Sequence, residues 1–153
     1  MYKRQHLGNA YDEDVNFEKS INAYKKVLEL NPNNDIAYNN LGIVFSGMNN
    51  FLEAEKHFLK GIRINPENSY IYTNYFELCL TNDKVIDDDL IRLFKNKFKD
   101  SKPAMSSFEM VNIYKNIIND KIKDLDLSLQ EWREKYSDIG ENESFREIEN
   151  WIY

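Results

Sequence analysis

Residues 35–68, DIAYNNLGIVFSGMNNFLEAEKHFLKGIRINPEN, contain the pattern that decides the fold. Apolar residues recur in this stretch at steps of three and four, which predicts two amphipathic helices joined by a turn. The Asn65-Pro66 pair predicts the end of the second helix, because the residue before proline leaves the α region and proline cannot donate an intrahelical hydrogen bond. The stretch therefore predicts a helix, a turn, a second helix and a stop.

The same pattern occurs 34 residues earlier in the chain, with a turn predicted near residues 13–16. Sliding the sequence against itself by that distance superposes Leu7-Gly8 on Leu41-Gly42, Tyr11 on Phe45, Phe17 on Phe51, Tyr24 on Phe58, Leu28 on Ile62 and Asn31-Pro32 on Asn65-Pro66. Agreement at this many positions indicates an internal repeat, and a repeat of this length is typical of stacked helix pairs.

The repeat resembles the tetratricopeptide repeat (TPR) family, whose 34-residue unit has a Leu-Gly pair, aromatic residues, small residues and a late proline. Residues 35–68 match it at Tyr38, Leu41, Gly42, Phe45, Ala54, Phe58, Gly61 and Pro66. Small residues allow two helices to approach while aromatic side chains interlock around them. The resemblance implies an all-α, right-handed TPR-type superhelix of stacked antiparallel helix pairs with capping helices at its C-terminus.

Beyond residue 68 the match weakens. We expect repeats at 1–34 and 35–68, a divergent third unit at 69–102, and a helical region at 103–153 that caps the same domain. In the third unit Phe76 occupies the glycine position and Cys79 the next aromatic position. Its second helix is predicted from an apolar stripe at steps of four: Ile86, Leu90, Phe94 and Phe98.

The C-terminal segment contains two Ser-x-x-Glu pairs that fit the capping box at the start of a helix: Ser106 with Glu109, and Ser128 with Glu131. Between 106 and 138 either one long helix or two sequential helices fit, and a break near 124–128 is the preferred interpretation. A short final helix is predicted from about residue 142. Capping of the repeats predicts burial of four side chains: Trp132, Phe145, Ile148 and Trp151.

The composition excludes several classes of protein. The chain has 153 residues, enough for a core of its own, and its 5 glycines and 3 prolines are too few for the turns of an all-β sandwich. Cys79 is the single cysteine, so no intrachain disulfide can form. A formal charge of −6 argues against nucleic-acid binding. No apolar run is long enough for an export signal or a membrane span, so a cytoplasmic location is expected.

No residue pattern indicates catalysis. The two histidines, His6 and His57, stand in no nucleophile–base motif, and Cys79 occupies an apolar position where a free cysteine acts as a small hydrophobe. The aspartates at 87–89 fit the negative first turn of a helix better than a metal site. The cations from 92 to 102 are interpreted as a solvated helix face. We therefore predict no catalytic residue, no metal and no cofactor.

The resemblance also implies a peptide-binding groove, because the first helices of each repeat line the concave side of such an array. The groove residues that it implies are Tyr2, Gln5, Asn9, Ile36, Asn39, Asn40, Ile43, Tyr70, Thr73, Asn74 and Glu77. Some family members clamp an acidic C-terminus with cations, but Gln5, Tyr70 and Asn74 replace those cations here. Asn40 and Asn74, one period apart, are predicted to point into solvent and to bind the main chain of an extended peptide, unless asparagine is simply abundant here.

The function implied by the resemblance is a non-catalytic adaptor or scaffold that binds a protein or peptide partner. Two alternatives stay open. One is a regulatory or substrate-recruiting module associated with an enzyme. The other is a homo-oligomer that assembles through incomplete ends of the repeat array, where Arg4 and residues 151–153 leave open surfaces.

Overall fold

The computed structural model describes residues 16–118 and 125–136. Within these ranges the chain is helical without strands, and its seven helices are α1 (Phe17–Leu30), α2 (Asp35–Gly47), α3 (Phe51–Ile64), α4 (Ser69–Thr81), α5 (Asp88–Phe98), α6 (Lys102–Ile118) and α7 (Leu125–Lys135). Contacts divide the chain after Ile86 into two compact units, 1–86 and 87–153. Consecutive helices pack together within each unit, which confirms the predicted all-α class of helix pairs. The repeat boundaries at 34, 68 and 102 remain predictions.

Asparagine begins each of the first four helices. The residues directly before α1, α2, α3 and α4 are Asn16, Asn34, Asn50 and Asn68. Each side-chain oxygen accepts a hydrogen bond of 2.8 to 3.4 Å from a backbone N–H of the first turn. These N–H groups have no partner within the helix, so such a cap typically contributes about 1 kcal/mol. The caps recur with the repeat and account for part of the asparagine content.

The ends of the helices in the first unit also follow the repeat. Asn31-Pro32 ends α1 and Asn65-Pro66 ends α3, as predicted. In both pairs the asparagine N–H still donates to the carbonyl four residues earlier, at 2.8 and 2.9 Å. Asn49 after α2 and Asp83 after α4 have φ angles of 58° and 54°, in the left-handed region that asparagine and aspartate tolerate best after glycine. These two turn residues again lie one period apart.

Helices α2 and α3 pack closely where Gly42 faces the ring of Phe58. A Cβ atom on Gly42 would stand 2.5 Å from a ring carbon of Phe58, so position 42 requires glycine. Ala54 and Phe58 are almost fully buried at the same interface. Gly61 of α3 faces Ile71 of α4 less tightly, with 3.1 Å between an added Cβ and the Ile71 Cδ1 atom. The small and aromatic positions of the repeat therefore pack as the pattern predicts.

Two of the predicted helix starts are wrong. Ser106 lies inside α6, and its side chain is buried. The reason is Pro103, because a proline costs little in the first turn of a helix, where its missing N–H has no partner, and α6 begins before the Ser-x-x-Glu pair. Ser128 likewise lies inside α7, so the predicted break does not fall at 125–128. Helices α6 and α7 pack against each other and are therefore two separate helices.

Aromatic residues form the core between α5 and α6. The Asp87 side chain accepts hydrogen bonds from two backbone N–H groups of the first turn of α5, which confirms the predicted acidic helix start. Phe94 and Phe98 are buried, as the apolar stripe predicts. The Phe94 ring stacks on that of Phe108 with 5.2 Å between centroids. These rings attach α5 to α6.

Side-chain bonds attach α7 to α6. Trp132 Nε1 donates to the Ser106 carbonyl at 3.2 Å, and Lys135 Nζ donates to a Glu109 carboxylate oxygen at 2.6 Å. Trp132 is partly buried. The other side chains predicted to be buried by capping lie outside the described residues: Phe145, Ile148 and Trp151. Capping of the repeats remains a prediction. No helix within the described ranges is both long enough and apolar enough to cross a membrane.

Candidate functional site

The predicted groove residues of α2 and α4 lie on helices that the fold holds side by side. Helix α2 contacts α4, and both pack on α3. The Asp35 carboxylate at the start of α2 accepts hydrogen bonds from Asn65 Nδ2 and Asn68 Nδ2, both at 2.9 Å. These bonds attach the first turn of α2 to the turn before α4 and fix the spacing of the two helices at that end. The groove residues predicted nearer the N-terminus lie outside the described residues: Tyr2, Gln5 and Asn9.

Three asparagine side chains, Asn40, Asn39 and Asn74, form a hydrogen-bonded row from α2 to α4. Asn74 Nδ2 donates to Asn39 Oδ1 at 2.8 Å, and Asn39 Nδ2 donates to Asn40 Oδ1 at 3.4 Å. All three residues are partly buried. Within the part of the chain that the structure describes, Asn40 Nδ2 and Asn74 Oδ1 have no partner. The asparagine row therefore ends in a hydrogen-bond donor on α2 and an acceptor on α4.

This pairing corrects the expectation that Asn40 and Asn74 point into solvent. A side-chain amide contains both a donor and an acceptor, so asparagines on adjacent helices satisfy one another. The repeat places Asn40 and Asn74 one period apart, but the direct partner of Asn74 is Asn39. This offset of one residue depends on side-chain rotamers, which periodicity does not determine.

An open cavity of about 150 Å³ adjoins the asparagine row. It is lined by Ile43, Ser46, Phe58, Asn74, Glu77, Leu78 and Thr81. Ile43, Asn74 and Glu77 belong to the predicted groove, whereas the other lining residues were not predicted. Ser46 follows Ile43 by three positions and Thr81 follows Glu77 by four, so helical periodicity extended along α2 and α4 is the signal that identifies them.

Ile36 and Tyr70 supply exposed apolar surface at the first turns of α2 and α4. They are 61% and 72% exposed and occupy equivalent positions, one period apart. This exposure leaves their side chains available for contact with a bound chain. Thr73, by contrast, donates its hydroxyl hydrogen to the Tyr70 carbonyl of its own helix at 2.9 Å. The face formed by α2 and α4 thus combines an apolar end with a polar centre.

Two family models match the part of the chain that precedes α4. A model described as a TPR repeat matches residues 8–49, and one described as a tetratricopeptide repeat matches residues 36–68. Residues 8–68 are tetratricopeptide repeats. The resemblance inferred from the 34-residue period is confirmed over this range, which includes α1, α2 and α3.

A curated relative contains a similar stretch. The tetratricopeptide-repeat chain is 29% identical over 72 residues to UDP-N-acetylglucosamine–peptide N-acetylglucosaminyltransferase from Giardia intestinalis. The matched stretch is 47% of this chain, and the chain covers 5% of the relative. Tetratricopeptide repeats are protein-interaction modules, so the repeats indicate a role in binding another protein.

Glu55 connects α3 to α4 and to the turn that follows α4. Tyr75 donates its hydroxyl hydrogen to Glu55 Oε1 at 3.0 Å, and Lys84 Nζ donates to the same oxygen. The bond from Lys84 holds the pKa of Glu55 below its ordinary value, and the bond from Tyr75 acts in the same direction against the effect of burial. Burial raises the pKa of the nearby Cys79 thiol, which is therefore neutral and fills a core position as predicted.

We expect a Glu55→Gln variant to be less stable than the wild type at pH 7, by about 1 kcal/mol. A carboxylate whose pKa is lowered by folding stabilises the folded state above its ordinary pKa of about 4.5, and this contribution is lost as the pH falls through the lowered value. Urea denaturation from pH 7 to pH 3 measures the difference. A Glu29→Gln variant, at an exposed position of α1, is the control. An equal deficit at both ends of the pH range would contradict a role for the charge.

Other residues considered for chemistry make contacts within their own helix or with the neighbouring one. His57 Nδ1 lies 2.7 Å from the Glu53 carbonyl, and the imidazole stacks on Phe45 with 5.1 Å between centroids. Arg92 pairs with Asp89, one turn earlier in α5. Over residues 16–118 and 125–136, no three His, Cys, Asp or Glu side chains are arranged to hold a metal ion. His6 lies outside the described residues.

Proposed function

We propose that this chain is a non-catalytic adaptor that holds an extended segment of a partner protein along the face formed by α2 and α4. The observation that supports this proposal most strongly is the asparagine row, because it presents a donor and an acceptor on one partly buried surface. The main chain of an extended peptide offers carbonyl and N–H groups at a regular spacing. Asn40 Nδ2 can donate to such a carbonyl, and Asn74 Oδ1 can accept from such an N–H.

Affinity and selectivity come from different parts of this face. Main-chain hydrogen bonds are independent of the peptide sequence, so they contribute affinity, whereas the cavity and the exposed apolar side chains distinguish one sequence from another. The two unpaired amide groups select for a partner that pairs with them, because covering them without a hydrogen bond costs free energy. Ile36 and Tyr70 add apolar area at one end of the face.

Replacing Asn40 and Asn74 together by alanine is expected to weaken peptide binding by about 1–3 kcal/mol, since each neutral hydrogen-bonding site contributes about 0.5–1.5 kcal/mol. The probe is a dodecapeptide selected on the wild-type chain from a random displayed library and measured by titration calorimetry. The matched control replaces Asn22 and Asn96, which are exposed on α1 and α5. Unchanged affinity of the Asn40/Asn74 variant would place the binding surface elsewhere.

A second candidate function is the recruitment of a protein substrate to an enzyme. The observation that favours it is the similarity to a stretch of a peptide N-acetylglucosaminyltransferase. In this case the same face binds the segment that an associated enzyme modifies. The recruitment function predicts that adding this chain accelerates modification of the bound peptide by the associated enzyme. The adaptor function alone predicts no acceleration.

A further inference from the structure

We propose that Ile36 and Tyr70 form a subsite for one large apolar side chain of the partner segment, such as leucine or phenylalanine, two residues along the segment from the residue that the asparagine row holds. This inference rests on the proposed function, because it specifies the sequence of the segment bound along α2 and α4. It assigns selectivity to two exposed side chains and main-chain affinity to the asparagine row one helical turn away.

Ile36 and Tyr70 lie on the same helix faces as the two ends of the asparagine row. Ile36 precedes Asn40 by four positions in α2, and Tyr70 precedes Asn74 by four positions in α4. Residues four positions apart lie one above the other on one side of a helix. A segment bound to Asn40 Nδ2 and Asn74 Oδ1 therefore passes the apolar pair when it extends toward the starts of the two helices.

Hydrogen bonds fix the separation of Ile36 and Tyr70. Asp35, directly before Ile36, accepts from Asn68 Nδ2 at 2.9 Å. Asn68 Oδ1 in turn accepts from the Tyr70 backbone N–H at 3.2 Å. One helical turn further along, the asparagine row joins α2 to α4 again. The apolar pair thus lies between two connections of the same helices, and a subsite that is already ordered loses little conformational entropy when it binds.

The exposure of the two side chains favours an apolar contact. Ile36 is 61% exposed and Tyr70 is 72% exposed. A third apolar side chain that packs against the branched aliphatic group and the aromatic ring removes apolar surface of all three from water. Tyrosine is also among the residues that most often anchor protein interfaces. The pair therefore gains most from a large apolar side chain of the partner.

The charges near the subsite disfavour a charged ligand. The sequences of α2 and α4 contain no lysine or arginine, so an acidic side chain of the partner meets no cation of these helices. The Asp35 carboxylate at this end already accepts two amide hydrogen bonds of 2.9 Å. Glu77, the other charged residue of the two helices, lies seven positions beyond Tyr70. A charged side chain in the subsite would therefore lose hydration without an unengaged counter-ion beside it.

Two periodicities determine where the apolar residue lies in the partner segment. Four residues of an α-helix rise by about 6 Å. Two residues of an extended chain span about 6.6 Å, and their side chains point to the same face. The side chain between Ile36 and Tyr70 therefore belongs to the second residue before or after the one whose N–H bonds to Asn74.

Peptide pools with one fixed central residue test the subsite on the whole chain. The central residue is leucine, phenylalanine, serine, lysine or glutamate within random flanks of neutral polar residues, and binding is measured by biolayer interferometry. The leucine and phenylalanine pools are expected to bind about three- to tenfold more tightly than the serine pool. The double variant Ile36→Ser/Tyr70→Ser should abolish this preference and bind the serine pool as the wild type does, which also shows that it is folded.

The matched control replaces Leu52 and Val85 by serine. These apolar side chains are 81% and 87% exposed but lie outside α2 and α4, so the control should keep the preference for leucine. Leucine pools that are N-methylated two residues before or two residues after the leucine test its position. One of the two should bind the wild type about three- to tenfold more weakly, and Asn74→Ala should remove this difference.

Several results would overturn the inference. Equal binding of the leucine and serine pools, or tightest binding of the lysine or glutamate pool, would contradict the apolar subsite but leave peptide binding in place. A preference for leucine that survives the Ile36/Tyr70 variant, or that the Leu52/Val85 control removes, would place the apolar contact elsewhere. N-methylation without effect at both positions would contradict the spacing of two residues. Absence of binding to every pool would overturn both this inference and the proposed function.

Discussion

Replacement of Phe58 by alanine is expected to lower the free energy of unfolding by about 3–5 kcal/mol, the range typical of a buried phenylalanine. Phe58 is 2% exposed, and its ring lies against Gly42 and lines the groove cavity. Removing the ring leaves a void between α2 and α3 that their backbones cannot close without moving. Urea denaturation followed by circular dichroism measures the loss. Phe51→Ala, on the same helix at a 40% exposed position, should cost distinctly less.

A double-mutant cycle makes this prediction specific to the contact between Phe58 and Gly42. Gly42→Ala alone should destabilise by about 1–2 kcal/mol, because the added methyl group overlaps the ring and this outweighs the better helix propensity of alanine. In the Phe58→Ala background the overlap is absent, so the same change should stabilise by about 0.5–1 kcal/mol. The same sign in both backgrounds would contradict the close packing.

Phe94→Ala is expected to destabilise the second unit by about 3–5 kcal/mol. The Phe94 ring is fully buried and lies 4.8 Å from the Phe98 centroid and 5.2 Å from that of Phe108, so it joins α5 to α6. Amide hydrogen exchange in α5 and α6 should accelerate in the variant. Leu93→Ala, at the neighbouring 49% exposed position, is the matched control and should change exchange much less. Equal effects of the two variants would contradict this account of the core.

The repeat period predicts the helix pairs because each unit repeats the same small and aromatic positions at the interface between its two helices. Gly42 and Phe58 could be identified as packing positions from the repeat, although not as each other's partners, and Asn-Pro could be identified as a helix end. The start of α6 could not, because the first-turn Pro103 and the Ser-x-x-Glu pair that begins at Ser106 give competing signals three residues apart, and only tertiary packing decides between them. Asparagine is a favoured N-cap residue, so Asn16 and Asn50 are consistent with helix starts. Asparagine is so abundant in this chain that its presence alone does not identify these positions as caps.

The sequence predicts which helix faces form the site, but it predicts fewer of the contacts between their side chains. Ile43, Asn74 and Glu77 were predicted as groove residues and line the cavity. The bond between Asn39 and Asn74 was not predictable, since a shift of one residue in α2 exchanges Asn40 for Asn39. The contribution of Phe58 to the cavity was also missed, because no sequence pattern distinguishes a buried residue of α3 that borders a cavity from one that does not.

The most direct test of peptide binding along α2 and α4 is a two-dimensional NMR titration of the isotope-labelled chain with the selected dodecapeptide. The side-chain amide resonances of Asn39, Asn40 and Asn74 are expected to shift at the same peptide concentrations as the backbone amides of α2 and α4. Those of Asn22 and Asn96 should stay in place. Shifts confined to α1, or to the basic segment at 92–102, with the asparagine row unchanged, would contradict the proposed binding face.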